Sequence, residues 1–268
     1  MKLQNILSIL SDCVAVKRLS KNNRSAITFG IDHLLTRIGS QHRESRAIDM
    51  SNGSRFHYRR NKGDLQSIRE IWLEQHYRLP EWVRDRTTLL DLGGNIGMTT
   101  LWLAKEYGFS DIVVVEPDES NYAILERNFH ENDVNVKTIK AAIGPTDGEI
   151  CFAADECSNQ GHISDQGITV PMASMKTVLQ HFGDRPVDLI KMDIEGGEEF
   201  LVSQNCEWMD SINFVITELH PSIIDVSKVI SAFADHGLTY YPGNGGKVST
   251  NEAQSGNFMD MFVRESAI

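Results

Sequence analysis

The sequence predicts an α/β fold built on a mostly parallel sheet, and two features carry this prediction. From residue 87 onward, short apolar runs alternate with segments of helical period, as they do in successive βαβ units. The last two apolar runs, at residues 238–241 and 258–264, have no helical pattern between them. We therefore expect a doubly wound sheet whose strands are parallel except for an antiparallel hairpin at one edge.

The alternation assigns the elements in order along the chain. We predict strands at residues 87–92, 112–116, 136–143, 187–192, 214–219, 238–241 and 258–264. We predict helices at residues 97–107, 119–132 and 176–182, one that begins at Glu198, and one at 222–236. Weaker patterns at residues 149–154 and 168–173 indicate a hairpin, or two short strands, around the loop SNQGHISDQG.

The region before the sheet has a helical and irregular pattern, so we predict a helical cap over residues 1–80 and a sheet domain over residues 81–268. Polar residues interrupt the apolar stripe of the first 20 residues, and no small-residue cleavage pattern follows it. We expect an amphipathic helix that packs on the domain, neither a secretion signal nor a membrane span.

Charge and cysteine usage limit the classes of function. A formal net charge of -11 argues against general nucleic-acid binding. The first 62 residues still hold about twelve of the 26 Lys and Arg residues, so this basic front either attracts an anionic acceptor or is a solvated face without a partner. The four cysteines form no CxxC pair, which favours a reducing cytoplasm and predicts neither a disulfide scaffold nor a structural zinc site.

A glycine-rich turn, DLGGNIG, joins the first predicted strand to its helix. Gly93, Gly94 and Gly97 have no β-carbon, and Asn95 tolerates positive φ better than most residues. Such a turn presents free backbone N–H groups to the carboxylate or phosphate of a ligand. A glycine-rich turn alone is weak evidence for any one ligand.

Two acids flank this turn and narrow the choice of ligand. Asp91 lies directly before the glycines, where it would repel a pyrophosphate and attract a cationic group. Glu116 closes the second predicted strand, where a carboxylate can accept hydrogen bonds from both hydroxyls of a ribose. An acid for a cationic group, a glycine-rich turn for a carboxylate and an acid for a ribose together suit S-adenosylmethionine better than NAD. The alternative is that Asp91 only caps the helix and Glu116 only ends a strand.

Several spaced motifs, DLGGNIG, the acid in VVVEPD, AAIG, and VDLIKMDIEGGE followed by ITELHP, together resemble the FkbM family of class I S-adenosylmethionine-dependent methyltransferases. The resemblance extends from about residue 64 to the carboxyl terminus. It implies a Rossmann-like class I methyltransferase fold with a seven-stranded sheet, and it places the backbone of Ala141 and Ala142 near the adenine. It also implies that the cofactor is lined by Asp91, Gly93, Asn95, Gly97 and Glu116.

The segment KMDIEGGEE offers the first candidates for catalysis. Lys191 and Asp193 are two apart on a strand and therefore point to the same face, with Asp193 at the carboxyl end where the reactive end of the cofactor should lie. We predict that Asp193 contacts cofactor or acceptor, with Lys191 or Glu195 as its proton partner. The alternative is that Asp193 or Glu195 caps the following helix.

The segment TELHP offers the second set, because Glu218 and His220 also share a face at a strand end. A histidine there is placed for general-base work, although a histidine before proline is often only a turn residue. We favour a metal-free site. The alternative hypothesis is a divalent cation held by Asp193, Glu218 and His220.

Contacts to the acceptor are predicted from position alone. His162 lies in the loop expected at the open side of the sheet, where loops carry specificity, and Glu195 lies in the turn after its strand. Tyr77, with its neighbours His76 and Trp82, falls where the cap meets the sheet and could close over the methionine end of the cofactor. Packing is the alternative for these aromatic residues.

The leading hypothesis is an S-adenosylmethionine-dependent O-methyltransferase that acts on a hydroxyl of a small molecule, such as a sugar, a glycosylated metabolite or a polyketide. The acceptor is the only partner expected, with no membrane and no nucleic acid. Three alternatives stay open: a methyltransferase acting on RNA or protein, a dinucleotide-dependent oxidoreductase, and a non-catalytic module that only binds the cofactor. The sequence gives no prediction of the oligomeric state.

Overall fold

The protein was analysed as a computed structural model that describes residues 14, 16–40, 42–83, 86–153, 162–163, 167–243 and 259–268. In chain order the strands are β1 (His42–Asp49), β2 (Arg55–Arg60), β3 (Thr88–Leu92), β4 (Asp111–Val115), β5 (Val136–Ile139), β6 (Ala142–Gly144), β7 (Gly148–Ala153), β8 (His162–Ile163), β9 (Ile168–Ser174), β10 (Val187–Met192), β11 (Ile212–Thr217), β12 (Thr239–Tyr241) and β13 (Asp260–Val263). The α-helices are α1 (Asn23–Arg37), α2 (Lys62–Ile68), α3 (Met98–Tyr107), α4 (Glu119–Glu131), α5 (Met175–Leu179), α6 (Glu198–Leu201) and α7 (Val226–Asp235).

The main sheet has seven strands in the order β12-β13-β11-β10-β3-β4-β5. Strands β3, β4, β5, β10 and β11 are parallel, and β13 runs antiparallel to both β11 and β12. The predicted parallel sheet and its antiparallel edge hairpin are therefore confirmed. The chain runs outward from β3 to β5 on one side and from β10 to β11 on the other, so the strand order reverses between β3 and β10. In open α/β sheets, ligands bind outside the carboxyl ends of the strands at this reversal.

The predicted single strand at 136–143 is wrong, because the chain turns within it. The Ala141 N–H donates to the Ile139 carbonyl, a tight turn that ends β5 and directs the chain into a second sheet. That sheet has the order β6-β9-β7-β8, and its antiparallel β7 and β9 confirm the hairpin predicted around the SNQGHISDQG loop. Much of the loop itself lies outside the described residues.

Several other predicted elements begin at different residues in the structure, among them one helix and one strand. The helix predicted at 222–236 begins only at Val226, because the N–H groups of Ile223 and Ile224 donate to the His220 carbonyl and form a turn first. Asp225 then caps α7 by accepting from the Ser227 N–H. The strand predicted at 214–219 begins and ends two residues earlier, as β11.

The amino-terminal region, residues 14–83 as far as described, contains helices as predicted and also two strands that the sequence did not predict. Strands β1 and β2 pair as an antiparallel hairpin. Strand β2, with the sequence RFHYRR, is buried from Phe56 to Arg60, so it shows no alternation of apolar and polar residues. Its polar residues are buried because each has a partner, such as Asp64 for Arg59. Residues 16–19 are helical, and most of the predicted first helix lies outside the described residues.

Apolar cores lie on both faces of the main sheet. On one face, Phe29, Phe56 and Trp72 of the amino-terminal region pack in the same cluster as Leu101 of α3 and Phe129 of α4. The other face packs against α5 and α7. The amino-terminal region thus shares a core with the sheet, and the boundary proposed at residue 80 stays a prediction. Among the described residues, none of the helices combines the length and hydropathy needed to cross a membrane.

Asn128 in α4 and Asn132, the residue that caps the carboxyl end of α4, attach the hairpin to the sheet through its backbone. The Asn128 amide accepts from the His57 N–H at 2.6 Å and donates to the His57 carbonyl at 3.0 Å. It also donates to the carbonyl of Ile96, within the glycine-rich turn, at 2.8 Å. One turn later, Asn132 makes the same pair of bonds to Arg55, but at the protein surface. Asn128 therefore connects β2 to the turn from a fully buried position.

The substitution Asn128→Ala leaves three buried backbone groups without partners. We expect it to lower the free energy of unfolding by about 3 kcal/mol, since each buried unsatisfied group costs roughly 1–3 kcal/mol and the site can relax in part. The matched change Asn132→Ala removes the same bonds where water replaces them and should cost under about 1 kcal/mol. Urea unfolding of both variants measures the difference, and equal losses would contradict this account.

Candidate active site

The glycine-rich turn follows β3 at the reversal of strand order. Gly93, Asn95 and Gly97 all have left-handed backbone, with φ of 81°, 49° and 83°. A β-carbon on Gly93 would lie 1.9 Å from the backbone oxygen of Asp193, and one on Gly94 would lie 2.3 Å from Val114. These two glycines are therefore required for contacts within the protein, where the turn presses against the end of β10 and against β4. Their predicted contact with a cofactor stays a prediction.

Glu116 lies directly after β4 and points into the turn. One carboxylate oxygen accepts from the Asn95 N–H at 2.7 Å and the other from the Asp118 N–H at 2.9 Å. Burial raises the pKa of Glu116 to about 7 although these bonds lower it. The Asn121 side-chain amide also donates to Oε1 at 3.4 Å, and Oε2 keeps a second acceptor site. The side-chain oxygen of Asn95 is also buried, and no described residue donates a hydrogen bond to it.

Asp91 and Lys191 form a buried ion pair beneath the turn. The parallel register of β3 and β10 places them side by side, with the Lys191 Nζ 3.1 Å from the Asp91 Oδ1. Lys191 also donates to the Gly93 carbonyl at 2.6 Å, and the Thr100 hydroxyl donates to Asp91 at 2.5 Å. Asp91 is fully buried and already has a cationic partner in the protein. The contact predicted between Asp91 and the ammonium of a cofactor is not evident in this geometry and stays a prediction.

The charge state of Lys191 follows from its neighbours. Burial alone lowers the pKa of the Lys191 ammonium, but the carboxylates of Asp91 and Asp193 outweigh burial and raise that pKa above its ordinary value. Lys191 is therefore a permanent cation at neutral pH. This favours a positioning role over the role of proton partner that the sequence suggested.

Asp193 follows β10 and is contacted by the amino-terminal region. The Tyr77 hydroxyl donates to the Asp193 Oδ2 at 3.2 Å, and the Lys191 Nζ lies 3.9 Å from the same oxygen. The other oxygen, Oδ1, is buried, and no described residue donates to it. Burial, followed by repulsion from Asp193, raises the pKa of the Tyr77 hydroxyl well above its ordinary value, so Tyr77 stays a donor.

Glu195, Glu198 and His220 extend the site toward β11. The His220 Nδ1 lies 3.1 Å from the fully buried Glu198, and its Nε2 lies 3.5 Å from Glu195. Burial lowers the pKa of His220, but Glu198, Asp193 and Glu195 outweigh burial and raise it to about 9. Glu195 is held in left-handed backbone with φ of 52°. A pKa of His220 raised in this way does not favour the general-base role considered for it.

The site carries an excess of negative charge. Loss of water around the carboxyl group, followed by repulsion from Asp193, raises the pKa of Glu195 to about 8 and that of Glu218 to about 7. The Glu218 residue as a whole is exposed to solvent, although loss of water around its carboxyl group raises its pKa. The structure therefore brings the two catalytic segments predicted from the sequence together at the carboxyl ends of β10 and β11.

Three further residues named in the sequence analysis lie at or near the site or in the second sheet. Glu198 was predicted only to begin a helix, and the pattern GGEE gives no sign that its carboxylate is buried against His220. Ala142 is buried in β6, where it pairs with Met172 of the second sheet. His162 lies in β8 opposite Ala153, and its side chain is outside the described part of the structure.

Comparison with known proteins identifies the family. The model of the Methyltransferase FkbM domain matches residues 91–240, more than half of the chain. The chain belongs to the FkbM methyltransferase family. The matched range begins at Asp91 and contains the glycine-rich turn and Glu116. It also contains the acid cluster formed by Asp193, Glu195 and Glu218. The resemblance inferred from the motifs, and the expectation of a methyltransferase enzyme with a class I sheet, are thereby confirmed.

The individual proteins that are similar to this chain share a low sequence identity with it. Methyltransferase 1 of Beauveria bassiana (strain ARSEF 2860) is 26% identical over 178 residues, which cover 56% of this chain and 71% of that protein. Hexuronic acid methyltransferase AglP of Haloferax volcanii is 24% identical over 180 residues, which cover 62% and 74%. The crystal structure of methyltransferase FkbM from Methylobacillus flagellatus KT superposes with a TM-score of 0.44 at 14% identity, covering 74% of this chain and 53% of that chain.

The buried ion pair of Asp91 and Lys191 in this FkbM-family chain can be tested by substitution. The substitution Lys191→Met leaves Asp91 buried without its cation, and we expect the free energy of unfolding to fall by about 3–5 kcal/mol. The double variant Asp91→Asn, Lys191→Met removes both charges and should recover a large part of that loss. Chemical denaturation of the three proteins measures this coupling. A double variant no more stable than Lys191→Met would contradict the pairing.

Proposed function

We propose that this methyltransferase transfers a methyl group from S-adenosylmethionine to a hydroxyl group of a small molecule, a sugar or a glycosylated metabolite. The observation that carries the proposal is the acidic edge formed by Glu116 after β4, Asp193 after β10 and Glu218 after β11. Carboxylates at this edge can accept hydrogen bonds from ribose hydroxyls on one side and from acceptor hydroxyls on the other.

The residues at the turn fit the cofactor in charge and in hydrogen bonding. S-adenosylmethionine carries a sulfonium and an ammonium, and it presents two ribose hydroxyls as donors. Glu116 offers a buried carboxylate, and Asn95 offers a buried amide oxygen to which no described residue donates. We assign the ribose hydroxyls to Glu116. The ammonium is assigned to acceptors at the turn, with Asn95 preferred over the already neutralised Asp91.

The cofactor and the protein chain contribute different parts of the reaction. When bound, S-adenosylmethionine supplies an activated methyl group with a good leaving group, so positioning provides much of the acceleration. In our proposal Asp193 accepts a hydrogen bond from the acceptor hydroxyl and holds its oxygen in line. Glu218, an exposed carboxylate at the next strand end, accepts the hydroxyl proton. Tyr77 holds Asp193 in place and covers one side of it.

A hydroxyl-rich acceptor suits this site better than a nucleic acid. Asp193 and Glu218 lie at strand ends where an acceptor enters, and their carboxyl groups accept from hydroxyls and repel phosphate groups when ionised. Similarity to a protein named a hexuronic acid methyltransferase supports a sugar acceptor. The basic amino-terminal region offers a separate place for an anionic part of the acceptor.

Cofactor binding is tested by calorimetric titration with S-adenosylmethionine and S-adenosylhomocysteine, with NAD as the competing ligand class. We expect both adenosyl ligands to bind and NAD not to bind. Glu116→Gln should weaken binding roughly 10- to 100-fold, because hydrogen bonds to a charged group contribute about 1.5–3 kcal/mol. The matched change at an exposed glutamate, Glu106→Gln, should have no effect. Binding of NAD in place of the adenosyl ligands would overturn the proposal.

The acceptor class is tested by transfer of a radiolabelled methyl group into fractions of a cell extract. We expect label in the small-molecule fraction, in compounds that retain it after treatment with protease and nuclease. Asp193→Asn should lower kcat on the order of 10²-fold while S-adenosylmethionine still binds. Label confined to RNA or protein would establish that alternative. Binding without transfer to any fraction would indicate a module that only holds the cofactor.

A further inference from the structure

We propose that Asp193, Glu195 and His220 form a binding site for one divalent cation. One potential ligand atom from each of the three residues lies within 4.8 Å of the other two. Asp193 and Glu195 follow β10, and His220 follows β11, so two neighbouring strand ends supply the ligands. The set differs from the one considered from the sequence, because Glu195 takes the place of Glu218.

Unsatisfied buried oxygens at this cluster are a separate observation that points to a ligand. The Asp193 Oδ1 is buried, and no described residue donates a hydrogen bond to it. Behind His220, the Glu198 side chain is completely buried, and its Oε2 likewise has no donor among the described residues. Buried carboxylate oxygens without a partner are costly. A cation bound at this cluster would offset the charge of both carboxylates.

The orientation of His220 suits a metal ligand. Its Nδ1 lies 3.1 Å from Glu198, which leaves Nε2 directed toward Glu195 at 3.5 Å. When Nδ1–H donates to a carboxylate, the lone pair of the imidazole is on Nε2, which is the usual arrangement of a carboxylate, a histidine and a metal ion. Glu198 is thus a positioning residue for His220.

Local charge also favours a cation. Three carboxyl groups, those of Asp193, Glu195 and Glu198, lie around His220, and the nearby Lys191 is already paired with Asp91. A divalent ion supplies two positive charges where the described residues supply an excess of negative charge. Protonation of the acids is the competing way to offset this excess.

The ligand set indicates the kind of ion. Two carboxylates and one imidazole suit Mn²⁺ and similar first-row ions better than Ca²⁺, which takes six to eight oxygen ligands. Three protein ligands leave coordination positions open. Provided that the proposed function holds, an open position is the place for the acceptor hydroxyl, whose oxygen the ion would orient and whose pKa it would lower.

The test measures Mn²⁺ itself on the purified full chain after treatment with a chelator. We expect electron paramagnetic resonance to show one bound Mn²⁺ per chain, with coupling to one imidazole nitrogen. His220→Gln should abolish that coupling, and Glu195→Gln should weaken binding at least 10-fold. Glu198→Gln should weaken it about 10- to 100-fold, as loss of an outer-shell partner does. The matched control, His236→Gln, changes a histidine paired with Asp210 outside the site and should leave binding unchanged.

The outcomes separate this proposal from the proposed function. Absence of stoichiometric Mn²⁺ binding, or binding that survives both His220→Gln and Glu195→Gln in folded protein, would overturn the cation site. If methyl transfer is unchanged after exhaustive chelation, the proposed function stands and the assignment of the acceptor hydroxyl to the ion fails. If Mn²⁺ binds as expected but S-adenosylmethionine does not, the cation site stands and the proposed function fails.

Discussion

The buried ion pair between Asp91 and Lys191 is the interaction on which the site depends. It joins β3 to β10 where the strand order reverses, and the same ammonium donates to the Gly93 carbonyl. A buried charge without its partner is strongly destabilising, so the pair fixes the register of two central strands. The glycine-rich turn is then held against the backbone of Asp193, at a distance that only glycine permits at position 93. The turn and the acid cluster therefore form one rigid unit.

The same pair determines the charge of the site above it. Because Asp91 neutralises Lys191, little of that positive charge remains for Asp193, Glu195 and Glu218, and burial followed by repulsion from Asp193 raises the pKa of the last two. Burial lowers the pKa of His220, but the same acids outweigh burial and raise it. A proton on His220 and a metal ion on its Nε2 are two alternative ways to offset one excess of negative charge. The proposed cation site and the high pKa of His220 therefore have a common physical origin.

Periodicity predicted the main sheet well, because its strands are apolar and its helices are regular. Periodicity failed where a backbone turn or a buried ion pair determines the local structure. The break after Ile139 depends on a backbone turn that the residue types there do not indicate. The hairpin of β1 and β2 lacks the usual alternation of apolar and polar residues, because buried Arg59 is neutralised by Asp64. For the site, the motifs located the residues but not their pairings. Nothing in the spacing shows that Lys191 belongs to Asp91, or that Glu198 is buried against His220.

The amino-terminal region is built into the site and does not merely cover it. Ser67 accepts a hydrogen bond from the side chain of Asn95, and Tyr77 donates to Asp193. The match to the FkbM domain begins only at Asp91, after both of these residues. The glycine-rich turn and the acid-bearing segments thus lie in the part shared with the family, whereas Tyr77 comes from outside it. If the acceptor enters over Asp193, this arrangement lets acceptor choice change with the amino-terminal region while the buried ion pair and the turn stay the same.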